Sequence, residues 1–165
     1  EFSIPYVIIN VVSKYGIENI ENILKNYFYK TNNSFEKLEK RDKLDNRKVM
    51  IIASPFMGIN IAKSLREDFS LTNILALSFI KESRKFKKVE YLDFLNIVNT
   101  EDDLKEKIKE YKPDILISDP VYKNLVNEGI TFIPLLHYGY STRLYLELDY
   151  EYCGNKAYEY FKKFI

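Results

Sequence analysis

An apolar run followed at once by an amphipathic helix pattern constrains the fold of this chain more than any other feature. The run covers residues 49–53 (VMIIA) and ends at Ser54-Pro55. Such a run is typical of a strand buried on both faces, as in a parallel sheet. Beyond the break, apolar residues recur on one helical face: Met57, Ile61, Ala62, Leu65 and Phe69. The stretch 48–69 therefore predicts the strand, short loop and helix that begin a βαβ unit.

The same alternation continues towards the end of the chain. Further apolar runs predict strands at residues 73–80, 114–118 and 130–136. A short edge strand fits residues 89–92, although a helical turn over 93–98 fits this region equally well. Buried strands that are joined by helical crossovers indicate a parallel sheet. We therefore predict an α/β fold, a Rossmann-like parallel sheet with helices on both faces.

Three helices are predicted between and after these strands. The first covers residues 100–111, where Thr100 is the N-cap, acidic residues fill the first turn, and Pro113 ends the helix. The second covers 121–127, with Gly129 as its C′ residue. The third is the amphipathic segment 154–165, which closes the predicted domain.

The first 46 residues contain too few predicted strands and helices to pack into a compact domain by themselves. They contain an apolar run at 4–12 that predicts a strand, and an apolar stripe at helical spacing over 17–28. A mostly charged helix over 35–46 is typical of a solvated connector. We therefore predict that residues 1–46 are the tail of an upstream α/β domain plus this connector, and that residues 47–165 form the Rossmann-like C-terminal domain. Because the chain begins with Glu-Phe, we expect it to be part of a longer protein.

Composition excludes several classes of function. The 25 basic and 24 acidic residues nearly cancel, so the chain lacks the field that would attract nucleic acid or an acidic membrane. No apolar run approaches the roughly 20 residues that cross a bilayer. The first apolar run is short and lacks a basic flank, unlike a signal peptide, so we expect a cytoplasmic protein. A single cysteine, Cys153, excludes an internal disulfide and a cysteine cluster built by this chain alone.

The predicted topology nominates the loops in which a ligand would bind. In open α/β sheets, ligands bind at the carboxyl ends of the strands. These ends fall within residues 54–58, 78–83, 118–122 and 137–141. From these loops we select four candidate ligand-binding residues: Ser54, Gly58, His137 and Tyr140. The loop after the first strand carries a single glycine among bulky neighbours, which disfavours a dinucleotide because that site requires G-x-G-x-x-G.

Other residues have side chains that could take part in catalysis or metal binding, but a structural role is the simpler interpretation for each. His137 could ligate a metal or relay protons, but no second ligand lies near it in sequence, which favours a hydrogen-bonded structural histidine. Cys153 is most simply a small buried residue. Asp114 and Asp119 could form an acid–base pair, but a turn residue and a helix-start residue are the favoured roles. The basic loop 81–88 is typical of a solvated segment. We therefore assign no catalytic residue and no metal ligand.

The order of these segments resembles the nitrogenase component 1-type oxidoreductase family. IPYV, followed by Gly16, is similar to the end of that family's middle domain. KVMIIASPFMGINIAKSLREDF resembles the first strand, loop and helix of its last Rossmann-like domain, and KPDILISDP and GITFIP resemble its late strand pair. YGYSTR, with Gly154 further on, is similar to the family's closing turn and helix start. The resemblance covers most of the chain.

The resemblance implies a role within a larger machine. Such subunits have three Rossmann-like domains and bind iron–sulfur clusters through cysteines in the earlier domains. They pair with a homologous or identical subunit, receive electrons from an ATP-dependent iron–sulfur reductase, and reduce dinitrogen or a tetrapyrrole. In the sequence, His137 falls near the position of the histidine that ligates the metal cofactor in this family. Its separation from Gly154 is longer than in the family, and the tryptophan-containing turn that is typical there is absent. Asn155, Lys156 and Ala157 stand where the family keeps a second glycine.

Three hypotheses of function follow. The first is the C-terminal part of a nitrogenase component 1-like subunit, which walls a metallocluster or tetrapyrrole cavity and holds no cofactor by itself. The second is a stand-alone module that binds a small ligand or metal complex at the same strand ends. The third is a non-catalytic scaffold domain. An iron–sulfur cluster is expected only in the full-length protein, and no nucleic acid or membrane partner is expected.

Overall fold

A computed structural model describes residues 45–79, 95–136 and 154–165, and seven residues near the start of the chain: Ser13, Lys14, Ile17, Ile20, Asn22, Leu24 and Lys25. The strands are β1 (Asp45–Ile52), β2 (Leu71–Ser78), β3 (Leu95–Ile97), β4 (Ile115–Ser118) and β5 (Thr131–Pro134). The helices are α1 (Pro55–Phe69), α2 (Glu101–Tyr111) and α3 (Gly154–Lys162), and a 3-10 helix (Pro120–Leu125) lies between β4 and β5.

The five strands form one parallel sheet in the order β3-β2-β1-β4-β5. The chain proceeds from β1 to β2 and β3 on one side, and then returns to add β4 and β5 on the other side. The central strand β1 pairs with both halves, with Ile51 opposite Ala76 of β2 and Ile117 of β4. The predicted α/β, Rossmann-like sheet is confirmed.

Alternating residues of β1 divide the core into two layers, because successive side chains of a strand point to opposite faces. Val49 and Ile51 pack on the face covered by α1 and α3. Met50 and Ile52 pack on the face covered by α2. Both faces of β1 are therefore buried, which explains the unbroken apolar run, and the helices lie on both faces as predicted.

Polar side chains at the start of α2 form the hydrogen bonds that fix where this helix begins. The Thr100 hydroxyl oxygen accepts a hydrogen bond from the Asp103 backbone N–H at 3.1 Å. The Asp103 carboxylate in turn accepts from the backbone N–H groups of Asn99 and Thr100. These bonds, that from Asn99 above all, hold the pKa of Asp103 below its ordinary value. The arrangement is a capping box with aspartate at N3, which satisfies N–H groups that the helix cannot satisfy itself.

The region before α2 corrects one prediction. A helical turn over 93–98 is wrong, because Leu95–Ile97 form the edge strand β3 and pair with Ala76–Ser78. The strand has only three residues, and its local pattern carries little signal. Pairing with β2, which is remote in sequence, decides its conformation.

The connection between β4 and β5 corrects a second prediction. The α-helix predicted over 121–127 is a 3-10 helix at Pro120–Leu125. Gly129 has the expected positive φ of 103°, but it lies in a turn beyond the helix rather than at its C′ position. Asp119-Pro120 predicted a helix start correctly, but the helix that begins there is a 3-10 helix of six residues.

Some boundaries also differ from the predictions. The helix predicted over 35–46 cannot extend to its end, because β1 begins at Asp45. β1 thus starts two residues before the predicted domain boundary at 47. The strands predicted at 4–12 and 89–92 lie outside the described residues. Of the helical stripe predicted over 17–28, Ile17, Ile20 and Leu24 are described, and all three are helical.

Residues near the start of the chain contact the C-terminal part. The Ser13 hydroxyl donates a hydrogen bond to Asp68 Oδ1 at 3.2 Å, and the Lys14 backbone N–H donates to Asp68 Oδ2 at 3.1 Å. Ile17 lies against Gly154, where an added Cβ would be 2.6 Å from Ile17 Cδ1. This helical segment therefore packs between the end of α1 and the start of α3.

Among the helices that the structure describes, none combines the length and the apolar character that crossing a bilayer requires.

Candidate functional site at the carboxyl edge of the sheet

The strand order creates one crevice at the carboxyl edge of the sheet. The chain leaves β1 towards β2 on one side, whereas β4 lies on the other side of β1. The loops after β1 and β4 therefore diverge, and in open α/β sheets ligands bind at such a switch point. Ser54 follows β1 and Asp119 follows β4, so these two loops border the crevice.

The start of α1 offers unused hydrogen-bond donors to this crevice. Ser54 is the N-cap, but its hydroxyl makes no capping bond. The first helical bond runs from the Gly58 N–H to the Ser54 carbonyl at 2.8 Å, which leaves the N–H groups of Phe56 and Met57 without an intrahelical acceptor. The first turn contains no acidic residue. The positive end of the helix dipole can therefore attract an anionic group.

Two aromatic rings lie at the same edge of the sheet. Phe79 follows β2 and Tyr122 lies in the 3-10 helix after β4, and their rings stack with centroids 6.1 Å apart and planes 17° apart. Because β2 and β4 flank β1, the pair spans the end of the central strand. The carboxyl edge of the sheet thus carries an aromatic surface as well as the start of α1.

Exposed apolar side chains concentrate at the same edge. Among the described residues, the large apolar side chains that remain exposed include Phe56 (57%), Phe79 (38%), Ile97 (36%) and Val121 (66%). All four follow or end a strand at its carboxyl end, or begin α1. Clustered apolar exposure, unlike single exposed residues, indicates a surface for a ligand or a partner.

The β4 loop is built around Asp119, which is only 6% exposed. Its carboxylate Oδ1 accepts a hydrogen bond from the Val121 N–H at 3.0 Å, and its carbonyl accepts from the Tyr122 N–H at 3.0 Å. The predicted role of Asp119 at a helix start is confirmed. Asp119 therefore orients Tyr122 in the crevice.

Asp114 and Asp119 cannot act as a pair. Asp114 precedes β4, and its carboxylate accepts a hydrogen bond from the Lys48 backbone N–H at 2.7 Å. It thereby joins β1 to β4 at the amino edge of the sheet. The strand between the two aspartates places them about 16 Å apart at 3.3 Å per residue. The acid–base alternative for these carboxylates is excluded by this distance.

The four candidate ligand-binding residues have different positions. Ser54 lies in the crevice, as its place after β1 predicted. Gly58 is buried in α1 and faces β2, where an added Cβ would be 3.5 Å from Ala76 Cβ, so its position favours helix–sheet packing. His137 and Tyr140 lie outside the described residues, as does Cys153.

Within the ranges 45–79, 95–136 and 154–165 and the seven described residues before them, no three His, Cys, Asp or Glu residues group closely enough to hold a metal ion. The crevice instead presents a hydroxyl, backbone N–H groups and aromatic faces. These groups can bind and orient a ligand. An iron–sulfur cluster does not fit the described residues, so we assign no step through such a cluster to them.

Sequence reasoning nominated the loops that contain Phe79 and Tyr122 without singling out either ring. Phe79 directly follows β2, whereas Tyr122 lies four residues beyond the end of β4, within the 3-10 helix. The stacking itself depends on the strand order, which brings the ends of β2 and β4 to either side of β1. Only the assembled sheet reveals this pair.

Comparisons of this chain with protein-family models, with curated proteins and with solved structures give no match.

Proposed function

We propose that the carboxyl edge of this sheet forms one wall of a metallocluster or tetrapyrrole cavity in a nitrogenase component 1-like oxidoreductase subunit. The observation that carries the proposal is that the aromatic pair Phe79–Tyr122 and the uncapped start of α1 both lie at the carboxyl edge, at the switch point between β1 and β4. Aromatic faces suit a flat conjugated ligand, and free N–H groups suit its carboxylates. A tetrapyrrole has both features.

The placement of the segments that resemble the family supports this proposal. KVMIIASPF forms β1 and the start of α1, KPDILISDP contains β4 with its following loop, and GITFIP contains β5. All three strands end at the same edge of the sheet. The segments that resemble the family are far apart in the sequence, but their strands all end at the edge of the sheet that contains the crevice.

The role we propose for this part of the chain is binding and orientation. Ser54 and the first turn of α1 would hold an anionic group, and Phe79 and Tyr122 would support a flat face. An iron–sulfur cluster, when bound to the parent protein, supplies electrons; under this proposal its cysteine ligands lie in earlier domains.

The proposal also implies partners and a compartment. A homologous or identical component 1-type subunit would close the cavity, and an ATP-dependent iron–sulfur reductase would deliver electrons. Both partners of such a system work in the cytoplasm, so we place this protein there. No nucleic acid is part of the proposal, because the 25 basic and 24 acidic residues nearly cancel.

The natural gene product tests this assignment. We expect its intact mass, measured from the source cells, to correspond to about three domains of this size, with several cysteines upstream of Glu1. Metal analysis of that protein should find iron. A gene product the size of this chain, without iron, would contradict the assignment.

A stand-alone binding module is the second candidate, and the crevice itself favours it. The donors at Ser54 and the Phe79–Tyr122 surface come from one chain and need no other subunit for their geometry. This candidate predicts a gene product of the same length as the present chain, which completes its ligand site without a partner subunit.

A further inference from the structure

A second concave surface lies on the α2 face of the sheet, away from the carboxyl-edge crevice. This open groove has a volume of about 710 Å³, within the range of about 300–1,000 Å³ typical of binding pockets. Its apolar floor includes Ile108 of α2, Leu125 of the 3-10 helix and Ile130 before β5. Three lysines line it as well: Lys105 and Lys109 of α2, and Lys112, the C-cap residue that follows α2. We call this surface the α2 groove.

The α2 groove lies beside the β4–β5 connection, which contains no α-helix. Parallel strands are usually joined by a full α-helix that covers the sheet. Here the connection contains only a six-residue 3-10 helix, Pro120–Leu125. Leu125 and Ile130 therefore remain partly exposed beside α2. The groove occupies the space that a longer crossover helix would fill.

The charges along the groove are incompletely compensated. Lys105 forms salt bridges with Glu101 at 2.9 Å and Asp102 at 3.4 Å. Lys109 and Lys112 form no ion pair within the described part of the chain, and both are exposed. On the far side of α2, Lys107 is paired with Glu110 at 2.8 Å. The uncompensated positive charge of α2 thus lines the groove.

We propose that the α2 groove binds an acidic amphipathic helix of a partner protein. Lys105 and Lys109 are four residues apart on α2, about 6 Å at 1.5 Å per residue, and Lys112 follows as the C-cap of the helix. Carboxylates at the same spacing on a partner helix can face these lysines. Leucine-type side chains on its adjacent face would cover Ile108, Leu125 and Ile130, as a crossover helix would.

Charge complementarity selects this occupant over others. A nucleic acid would match the lysines but not the apolar floor, and the net charge of +1 gives it no wider attraction. A small anion would leave Leu125 and Ile130 uncovered. An amphipathic helix with an acidic face satisfies both the charge and the apolar surface, the mode in which many grooves bind peptides.

A designed peptide tests the proposal with the full chain. The probe is a fluorescein-labelled peptide of Glu-Leu-Leu-Glu repeats, about twelve residues long, which gives three helical turns. The control peptide has lysine in place of each glutamate. Fluorescence anisotropy should show saturable binding of the acidic peptide only, and this binding should weaken as salt screens the lysines.

Two variants separate binding from folding. Lys112 has a left-handed φ of 52°, which favours glycine, so Lys112→Gly removes the charge and relieves backbone strain. The double variant Lys109→Gln/Lys112→Gly should bind the acidic peptide about five- to tenfold more weakly, while unfolding at equal or higher denaturant concentration. Lys107→Gln, on the far side of the same helix, should leave the affinity unchanged.

Several results would overturn the proposal. These are equal binding of both peptides, an affinity that the double variant does not change, or no saturable binding at all. Displacement of the acidic peptide by inorganic phosphate at constant ionic strength would assign the groove to a small anion. Self-association that the double variant abolishes, seen by sedimentation, would assign the groove to a second copy of this chain.

Discussion

The rings of Phe79 and Tyr122 stack with centroids 6.1 Å apart, although the two residues follow different strands on opposite sides of β1. Such a pair contributes about 0.5–1.5 kcal/mol beyond the burial of its area. The contact joins the loop after β2 to the 3-10 helix after β4 across the switch point. An aromatic surface is therefore held in place where the topology predicts a ligand.

The two glycines that face neighbouring elements should respond to alanine in opposite directions. Gly154 has φ +52°, and its added Cβ would lie 2.6 Å from Ile17 Cδ1. Ile17 can move its terminal methyl group, but the backbone strain remains, so Gly154→Ala should lower the free energy of unfolding by about 1–2 kcal/mol. Denaturant titration measures this change.

Gly58→Ala is the matched control. Gly58 lies within α1, and an added Cβ would meet Ala76 Cβ at 3.5 Å, an ordinary contact. Because alanine favours a helix over glycine, this variant should gain about 0.5–1 kcal/mol. Equal losses in both variants would show that Gly58, too, is fixed by close packing.

Asp68 should hold the start of the chain against α1. Its carboxylate accepts hydrogen bonds from the Ser13 hydroxyl and the Lys14 N–H. Hydrogen bonds to charged groups contribute about 1.5–3 kcal/mol when buried, and partial exposure reduces this value, so Asp68→Ala should cost about 1–2 kcal/mol. The same variant should increase proteolysis near Ser13, because that segment loses its anchor.

A double-mutant cycle with Ser13→Ala isolates the contact between Asp68 and Ser13. If the two side chains interact as described, the cost of the double variant should be smaller than the sum of the single costs. Strict additivity of the two changes would contradict the contact.

Tyr111 should make the free energy of unfolding depend on pH in the alkaline range. Its hydroxyl lies 2.9 Å from both the Asn73 carbonyl and Asn73 Oδ1, to which it donates, and burial, with a smaller contribution from Asp114, raises the pKa of Tyr111 to about 12. The folded-state pKa lies above the unfolded value, so the stabilisation is complete below about pH 10. It is lost as the pH rises from there towards 12.

Tyr111→Phe tests this linkage. Loss of the hydroxyl should lower stability by about 1 kcal/mol at neutral pH, because the acceptors of Asn73 lose their donor. Above pH 10, the difference between the variant and the wild-type protein should shrink. The difference in tyrosinate absorbance between the two proteins should report one tyrosine that ionises near pH 12. A midpoint near pH 10 would contradict the partly buried position of the Tyr111 hydroxyl.

The sequence predicted those parts of the fold that depend on local pattern. The run from Val49 to Ala53 indicated a strand buried on both faces, and the acidic first turn after Thr100 located α2. β3 could not be predicted reliably, because Leu95–Ile97 are mostly exposed and become a strand only by pairing with β2.

The candidate site was predictable in position but not in detail. The rule for parallel sheets led to Ser54 and to the loop of Asp119 without any structure. The partnership of Phe79 and Tyr122 depends on strand order, a property of the whole sheet. Gly58 occurs in the nominated loop, yet it faces Ala76, because the helix geometry that follows Pro55 turns it towards the sheet.

Titration of the chain with protoporphyrin IX, a flat ligand with two carboxylates, tests the central claim most directly. Tyrosine fluorescence reports binding, since the chain has 14 tyrosines and no tryptophan.

Two variants perturb the crevice. Phe79→Ala removes one aromatic face, and Ser54→Asp places a good N-cap, but also a negative charge, at the start of α1. We predict saturable binding that each variant weakens about tenfold, which corresponds to about 1.4 kcal/mol, while Ser54→Asp keeps or raises stability. Absence of saturable binding, or an affinity that neither variant changes, would contradict a ligand site at the carboxyl edge.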